Sequence, residues 1–210
     1  MFYWICRPLM MAFYKLFYPV KVIGKENAIQ EGRSLVVCNH LGKSDVLAVG
    51  ALFKNKTWFL SKKEWFDNKL LGWVIDKLGA IPIDRDKPSL KSIKDCLTVL
   101  KNDKRLAVFP EGQRNFNDNS LQEIKQGAAM FAVKGKAVVT PVMIYEKLRV
   151  FKKNYVIVGK PIDLSKYYDV KFTDEVSQEC TQIIASALHE LQNEVFAYAE
   201  NEKAKKAKKK

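Results

Sequence analysis

The sequence has no long uninterrupted hydrophobic run, no closely spaced cysteines and only two histidines, His40 and His189. Its four cysteines are scattered, without the short spacing of a zinc site or of a disulfide framework. We therefore expect no bound metal and a chain exposed to the cytosol. His189 stands in a helical pattern with no motif around it, which leaves His40 as the histidine to consider.

Residues 1–20 are rich in aromatic and aliphatic side chains but do not make a membrane span. Arg7, Pro8 and Lys15 interrupt them well short of the roughly 20 apolar residues that a spanning helix needs. A secretory signal would also need a small-residue cleavage site, which is missing. Aromatic rings alternating with cations favour an interfacial membrane helix over residues 1–20. The alternative is a helix that docks on the protein core.

The composition is strongly basic, with a formal net charge of +13. Six of these charges come from lysines in residues 201–210, so the body of the protein keeps +7. An anionic partner is expected, whether a membrane surface, a phosphorylated substrate, an acidic carrier protein or nucleic acid. The Lys-rich tail has little to bury, and we expect it to be frayed or disordered.

Short apolar runs alternate with longer periodic segments from residue 35 onward, which predicts an α/β fold. We expect a single-layer mixed sheet flanked by helices in one domain, residues 21–200. The predicted strands are 35–38, 57–60, 80–83, 106–109, 138–144 and 155–158. Helices are predicted to begin near Asp45, Ser61, Ser89 and Leu121, and a last long helix to cover 173–199.

The motif N-H-L-G-K-S-D at residues 39–45 places His40 and Asp45 five positions apart, directly after a predicted strand. An imidazole can take a proton from a hydroxyl near neutral pH, and an adjacent carboxylate fixes its tautomer. The alternative is that the pair is only structural, a helix cap beside a surface histidine. Cys38 and Ser44 are weaker candidates, because Cys38 lies in an apolar strand and Ser44 has no G-x-S-x-G context.

Three further blocks follow: G-A-I-P-I-D-R at 79–85, F-P-E-G-Q-R-N at 109–115 and V-V-T-P-V at 138–142. In this order the four blocks resemble the glycerolipid acyltransferases, most closely the 1-acyl-glycerol-3-phosphate acyltransferases. The family pattern is N-H-x4-D, G-x4-R, F-P-E-G-x-R-S and a V-P-V-type strand, and the resemblance spans roughly residues 34–142. Where the family usually has Thr-Arg-Ser, this chain has Gln113, Arg114 and Asn115, which keeps the arginine but neither hydroxyl.

The resemblance implies transfer of an acyl chain from acyl-CoA or acyl carrier protein to the sn-2 hydroxyl of lysophosphatidic acid, with no cofactor. His40 would be the general base and Asp45 its orienting acid. Two arginines, Arg85 and Arg114, would bind the glycerol phosphate by bidentate hydrogen bonds.

Other implied substrate contacts come from a lysine after the second predicted strand and from the third block. The lysine is Lys62 or Lys63, and we favour Lys62. Glu111 would position the acceptor and, beside two arginines, stay ionised, while Gly112 would allow close backbone approach. The bulky residues Trp65, Phe66, Leu70, Leu71 and Trp73 would be core, with an acyl groove or a membrane contact as alternatives.

Several other functions fit parts of the sequence. The acceptor could be glycerol-3-phosphate, another lysophospholipid or an ornithine-type lyso-lipid, and an esterase would use His40 to activate water. A non-catalytic protein that binds anionic membranes or nucleic acid would also explain the charge. The aromatic residues do not interleave with Lys and Arg as a stacking platform would, so no nucleic-acid partner is expected. We expect a peripheral or monotopic enzyme at the cytoplasmic face of the membrane.

Overall fold

The protein folds around one mixed sheet of seven strands. The computed structural model describes residues 1–84 and 87–208. Its strands are β1 (Val20–Ile23), β2 (Ser34–Cys38), β3 (Thr57–Lys62), β4 (Ala80–Ile83), β5 (Arg105–Val108), β6 (Val138–Ile144) and β7 (Asn154–Val158). The order across the sheet is β1-β7-β6-β2-β5-β3-β4, and only the β6–β7 pair is antiparallel. The predicted single mixed sheet is confirmed.

Six helices cover the two faces of this sheet. They are α1 (Phe2–Phe17), α2 (Asp45–Ala51), α3 (Lys69–Leu78), α4 (Leu90–Lys101), α5 (Gly127–Lys134) and α6 (Asp174–Ala207). Leu35 and Val37 of β2 face the apolar cluster shared with α4, α5 and α6, whereas Val36 and Cys38 face the cluster shared with α1 and α2. Because both faces are covered, the central strands read as continuous apolar runs.

All six predicted strands are present, and β1 was not predicted. It is a four-residue edge strand directly after α1, too short to show a period of its own. The helix starts predicted near Asp45 and Ser89 are confirmed, and the Ser89 side chain caps α4 by accepting from the backbone N–H of Ser92. The start near Ser61 is wrong, because β3 continues to Lys62 and α3 begins only after Asn68 caps it. The helix predicted near Leu121 begins at Gly127.

Residues 201–207 are helical, where the sequence predicted a frayed or disordered tail. α6 continues to Ala207, well past residue 199. Its last turns are attached to the body, since Lys203 donates to the Tyr145 hydroxyl at 2.9 Å and Lys153 to Glu202 at 2.8 Å. The tail therefore has local partners that its lysine-rich composition does not reveal.

The bulky residues of α3 do not form core, which corrects the favoured interpretation. Gly72 is the buried residue of this helix, and a Cβ there would lie 3.0 Å from the Phe66 backbone. The glycine lets α3 pack closely on the preceding 3₁₀ turn, Lys63–Phe66. Leu70 and Trp73 consequently face outward, 74% and 50% exposed.

Candidate active site

His40 lies just beyond the carboxyl end of β2, in a loop that the chain closes with its own backbone. Its Nδ1 is 2.9 Å from Oδ2 of Asp45, the first residue of α2. The same carboxylate oxygen accepts hydrogen bonds from the backbone N–H groups of Leu41 and Gly42, each at 2.7 Å. Asp45 thus folds the loop and orients the imidazole together.

This geometry fixes which ring nitrogen is free. Because Oδ2 of Asp45 already accepts from two backbone N–H groups, it serves as an acceptor, and the ring proton belongs on Nδ1. Nε2 of His40 is then left with its lone pair, as a general base requires. Both side chains are buried, with His40 only 6% exposed. The second oxygen of Asp45, Oδ1, has no hydrogen-bond partner among the described residues.

Glu111 holds the other side of the His40 loop. Its Oε1 accepts from the backbone N–H of His40 at 2.8 Å, and its Oε2 from that of Gln122 at 3.3 Å. Burial raises the pKa of Glu111 to about 7, against the two backbone hydrogen bonds that lower it, and Asp45 adds to the rise. Among the described residues, the partners of Glu111 are backbone amides rather than arginines, and Arg85, one of the two arginines expected beside it, lies outside these residues.

An aromatic ring forms the floor under the imidazole. Phe109, the first residue of the F-P-E-G block, stacks on His40 with the ring centres 4.0 Å apart and an angle of 14°. Phe109 also lines an apolar cavity of about 320 Å³ between the sheet and the helices α4 and α5. The remaining lining residues are Leu60, Ile83, Pro88, Ile93, Val108, Pro110, Gly112, Lys125, Gly127, Ala128, Met130 and Phe131. Phe109 therefore contacts both the candidate base and the apolar cavity.

The loop after Gly112 is built by Asn115, which stands where the family usually has serine. Its backbone N–H donates to the His40 carbonyl at 2.8 Å. Its side chain accepts from the N–H groups of Asn117 and Asp118 and donates to Asp118 and the Ser120 carbonyl. An amide can do both, whereas a hydroxyl cannot make all of these bonds.

The predicted substrate-binding residues lie around this centre in different ways. Gly112 has a φ of 75°, a left-handed conformation that suits glycine, and a Cβ there would lie 2.9 Å from the Lys125 side chain. Arg114 is half-buried, with its guanidinium 5.1 Å from the centre of the Phe116 ring. Lys62 is exposed at the end of β3 and pairs with Glu64 at 3.2 Å, while Lys63 pairs with Asp84. Arg85 lies outside the described residues.

One residue at the site, Asn39, was not singled out by the sequence reasoning. Asn39 is fully buried, and its side chain exchanges two hydrogen bonds with the backbone of Ile144, at 2.9 and 2.8 Å. It thereby ties the start of the His40 loop to the end of β6. The signal available was its place directly before His40, where β2 ends. Burial holds the pKa of Cys38 well above its ordinary value, which argues against a thiolate nucleophile.

A family assignment follows from residues 19–145, which match the sequence profile of the Acyltransferase family. That match covers more than half of the chain, so the chain belongs to this family. It is 30% identical over 182 residues to the 1-acyl-sn-glycerol-3-phosphate acyltransferase of Bacillus subtilis (strain 168), covering 84% of this chain and 89% of the relative. It is 32% identical over 182 residues to that of Streptococcus pneumoniae (strain ATCC BAA-255 / R6), covering 83% and 66%.

A solved structure shares the fold. The crystal structure of the 1-acyl-sn-glycerophosphate (LPA) acyltransferase PlsC from Thermotoga maritima superimposes with a TM-score of 0.66. The match covers 88% of this chain and 79% of the other, at 24% sequence identity. The Thermotoga maritima acyltransferase therefore has the same arrangement of a mixed sheet between helices.

Proposed function

We propose that the protein transfers a fatty acyl chain from an acyl thioester to the sn-2 hydroxyl of 1-acyl-sn-glycerol-3-phosphate, giving phosphatidic acid. The hydrogen-bonded pair of His40 and Asp45 carries the proposal, in a chain whose relatives are named for this reaction. Nε2 of His40 takes the hydroxyl proton while the hydroxyl oxygen attacks the thioester carbonyl. The carbon–sulfur bond then breaks, and the sulfur leaves as a thiol with the proton that Nε2 had taken, which regenerates the neutral imidazole.

The apolar cavity beside Phe109 is suited to the acyl chain. Phe109 lines this cavity and also stacks on the imidazole, so an acyl chain seated there would lie close to His40. Lys125 lines this cavity and Arg114 follows its lining residue Gly112 by two positions, so both would add positive charge for a phosphate or an acidic carrier protein. The donor is acyl-CoA or acyl carrier protein, and no cofactor takes part.

Product formation tests this function. Purified protein is incubated with lysophosphatidic acid and either a long-chain acyl-CoA or an acylated carrier protein. We expect phosphatidic acid, and a loss of about 10²-fold or more in turnover for His40→Ala, because one well-placed base contributes that much. His189→Ala is the matched control, since this exposed histidine lies in α6, away from the site.

Two other outcomes would redirect the proposal. Thiol release without phosphatidic acid would indicate hydrolysis by activated water. Activity only with glycerol-3-phosphate or another lysophospholipid would keep the chemistry and change the acceptor. Unchanged turnover in His40→Ala would remove the general-base role.

We further propose that the enzyme works on the cytoplasmic face of a membrane, with α1 in the interface. No helix within residues 1–84 and 87–208 is both long and apolar enough to cross a bilayer. An exposed apolar face extends instead along α1 and meets the α3 region where Phe2 contacts Trp73. This face consists of Trp4, Ile5, Leu9, Phe13, Leu16, Trp65, Leu70, Leu71 and Trp73. The free cysteines fit a reducing compartment.

Sedimentation with phosphatidylglycerol vesicles tests the membrane proposal. We expect a double substitution, Trp4→Glu with Leu9→Glu, to cut the bound fraction several-fold, because it puts charge into the apolar face. Val170→Glu changes an exposed apolar residue elsewhere and serves as the control. The lysine tail adds attraction of about 1 kcal/mol for each lysine near the anionic surface. Equal sedimentation of both variants would refute the role of α1.

A further inference from the structure

The opposite ends of the same strands carry buried polar side chains that acyl transfer does not use. Ser34 opens β2, Arg105 opens β5 and Thr57 opens β3, and the strand register places Arg105 beside both of the others. Residues in register on parallel strands face the same side of a sheet, with neighbouring strands about 5 Å apart. The three side chains therefore form one row, which we call the amino-end row, and none is more than 3% exposed.

Most of the hydrogen-bonding capacity of the amino-end row is unused. Among the described residues, Ser34 Oγ, Thr57 Oγ1 and both Nε and Nη1 of Arg105 have no partner. Only Nη2 of Arg105 donates, to the Ile29 carbonyl at 2.6 Å. Buried polar atoms in native proteins nearly always have partners. Four open atoms in one row therefore indicate that something else completes their hydrogen bonds.

The charge of Arg105 is also uncompensated by the surrounding side chains. Its guanidinium lies over the Phe53 ring, 3.9 Å from the ring centre. Burial lowers the pKa of Arg105 to about 10, and the one group that opposes this is the Tyr3 hydroxyl rather than a carboxylate. A buried cation without an anion is costly, so an anionic ligand would stabilise this arrangement.

A second guanidinium contacts the backbone of Phe53. Arg7 of α1 donates from Nη2 to the Phe53 carbonyl at 2.7 Å, and its buried Nε has no partner among the described residues. Burial raises the pKa of the Tyr3 hydroxyl, while the charges of Arg7 and Arg105 oppose that rise. Both arginines are thus close to the same tyrosine.

A cavity adjoins this group of side chains at Phe53. It has a volume of about 400 Å³ and is lined by Arg7, Lys25, Glu26, Ala28, Gln30, Ala51, Leu52, Phe53 and Lys54. Three of these residues are cations and one is an acid. Phe53 belongs to this lining and also contacts Arg105, which connects the cavity to the amino-end row.

We propose that the amino-end row, together with Arg7, binds a phosphate group, supplied by an anionic membrane lipid or by free phosphate. Phosphate oxygens only accept hydrogen bonds from these groups, which matches guanidinium and hydroxyl donors. The site is separate from the proposed catalytic one. Arg105 starts β5 and Phe109 lies just beyond its end, four residues or roughly 13 Å along the extended chain. Arg7 belongs to α1, so an occupied site would fasten the proposed membrane helix to the sheet.

Thermal unfolding of the full chain tests this site with inorganic phosphate as the probe. We expect phosphate to raise the midpoint of the wild type by about 3 °C or more over sodium chloride of equal ionic strength. Arg105→Met, which removes the charge and keeps an unbranched side chain, should lose this response. Arg149→Met removes an exposed arginine and should keep it. If Arg105→Met does not fold, Ser34→Ala with Thr57→Val should need about tenfold more phosphate for half of the effect.

Vesicles separate the two sources of the phosphate group. Stabilisation by phosphatidylglycerol vesicles beyond that by phosphatidylcholine, lost in Arg105→Met, with no response to free phosphate, would assign the site to a lipid headgroup. A response to free phosphate would show that a soluble anion suffices. Equal responses of Arg105→Met and Arg149→Met to both probes would overturn the proposal, and buried water would then complete the row.

Discussion

The two ends of the parallel strands treat their buried polar side chains differently. At the carboxyl end, Asp45 and Glu111 accept from backbone N–H groups, and Asn39 both donates to and accepts from the backbone. At the amino end, Arg105 uses one nitrogen of three, and its neighbours Ser34 and Thr57 leave their hydroxyls open. At the carboxyl end, most buried side-chain hydrogen-bonding groups have protein partners. At the amino end, several donors have none among the described residues.

This difference fits the two proposed roles, general-base chemistry at the carboxyl end and anion binding at the amino end. A general base works best when its orientation is fixed before the substrate arrives, because no reorganisation is then needed in the transition state. A binding site, in contrast, needs donors that no protein group has taken. Oδ1 of Asp45 is an exception at the carboxyl end, since it is buried without a partner among the described residues.

The strongest way to disturb the carboxyl end is Asp45→Asn. The amide keeps the shape of the side chain but is neutral, so it no longer fixes the His40 tautomer or stabilises the imidazolium. We expect turnover with lysophosphatidic acid to fall by about 10²-fold or more, with little change in the unfolding midpoint beyond a few degrees. Asp169→Asn, at an exposed site, is the control. Turnover within a few-fold of the wild type would contradict the assigned role of Asp45.

A smaller effect is expected from Glu111→Gln, and it depends on pH. The pKa of Glu111 is raised from 4.5 to about 7, so between these values the folded protein binds more protons than the unfolded chain. The stability contribution of Glu111 is therefore complete below about pH 4.5 and is lost as the pH rises through 7. Glutamine does not titrate, but its NH₂ group faces a backbone N–H where Glu111 accepts, at a cost of about 1–3 kcal/mol.

Urea unfolding at pH 5 and pH 8 measures this change. The free energy of unfolding of Glu111→Gln should lie below that of the wild type at pH 5, and the gap should narrow as the pH rises. Gln182→Glu adds a carboxylate at an exposed position of α6 and serves for comparison. A gap that stays constant between the two pH values would show that Glu111 does not titrate in this window.

The carboxyl end could be predicted from the sequence more readily than the amino end, for a physical reason. His40 and Asp45 are five residues apart, so one loop brings them together and the motif suffices to predict the pair. The bond from Glu111 to the His40 backbone joins positions 71 residues apart, and it depends on how β2 and β5 pair. The amino-end row likewise requires the register of three strands, which apolar runs alone do not specify.

The smallest effect is expected at Asn115, whose backbone N–H donates to the His40 carbonyl. Asn115→Ala removes four side-chain hydrogen bonds that shape the loop after Arg114, and should cost about 1–2 kcal/mol of stability. Asn115→Ser, the residue usual in the family, should restore part of the loss because its hydroxyl can still accept from a backbone N–H.

Steady-state kinetics decide what this loop contributes to the reaction. His40 keeps its bond to the backbone N–H of residue 115 in both variants, so the base stays in place and kcat should change little. Arg114 loses the support of its neighbour, so KM for lysophosphatidic acid should rise several-fold. A rise in KM alone means loss of binding that ground state and transition state share. A fall in kcat at constant KM would instead assign Asn115 to the positioning of His40, and would extend the hydrogen-bonded group at the carboxyl end into this loop.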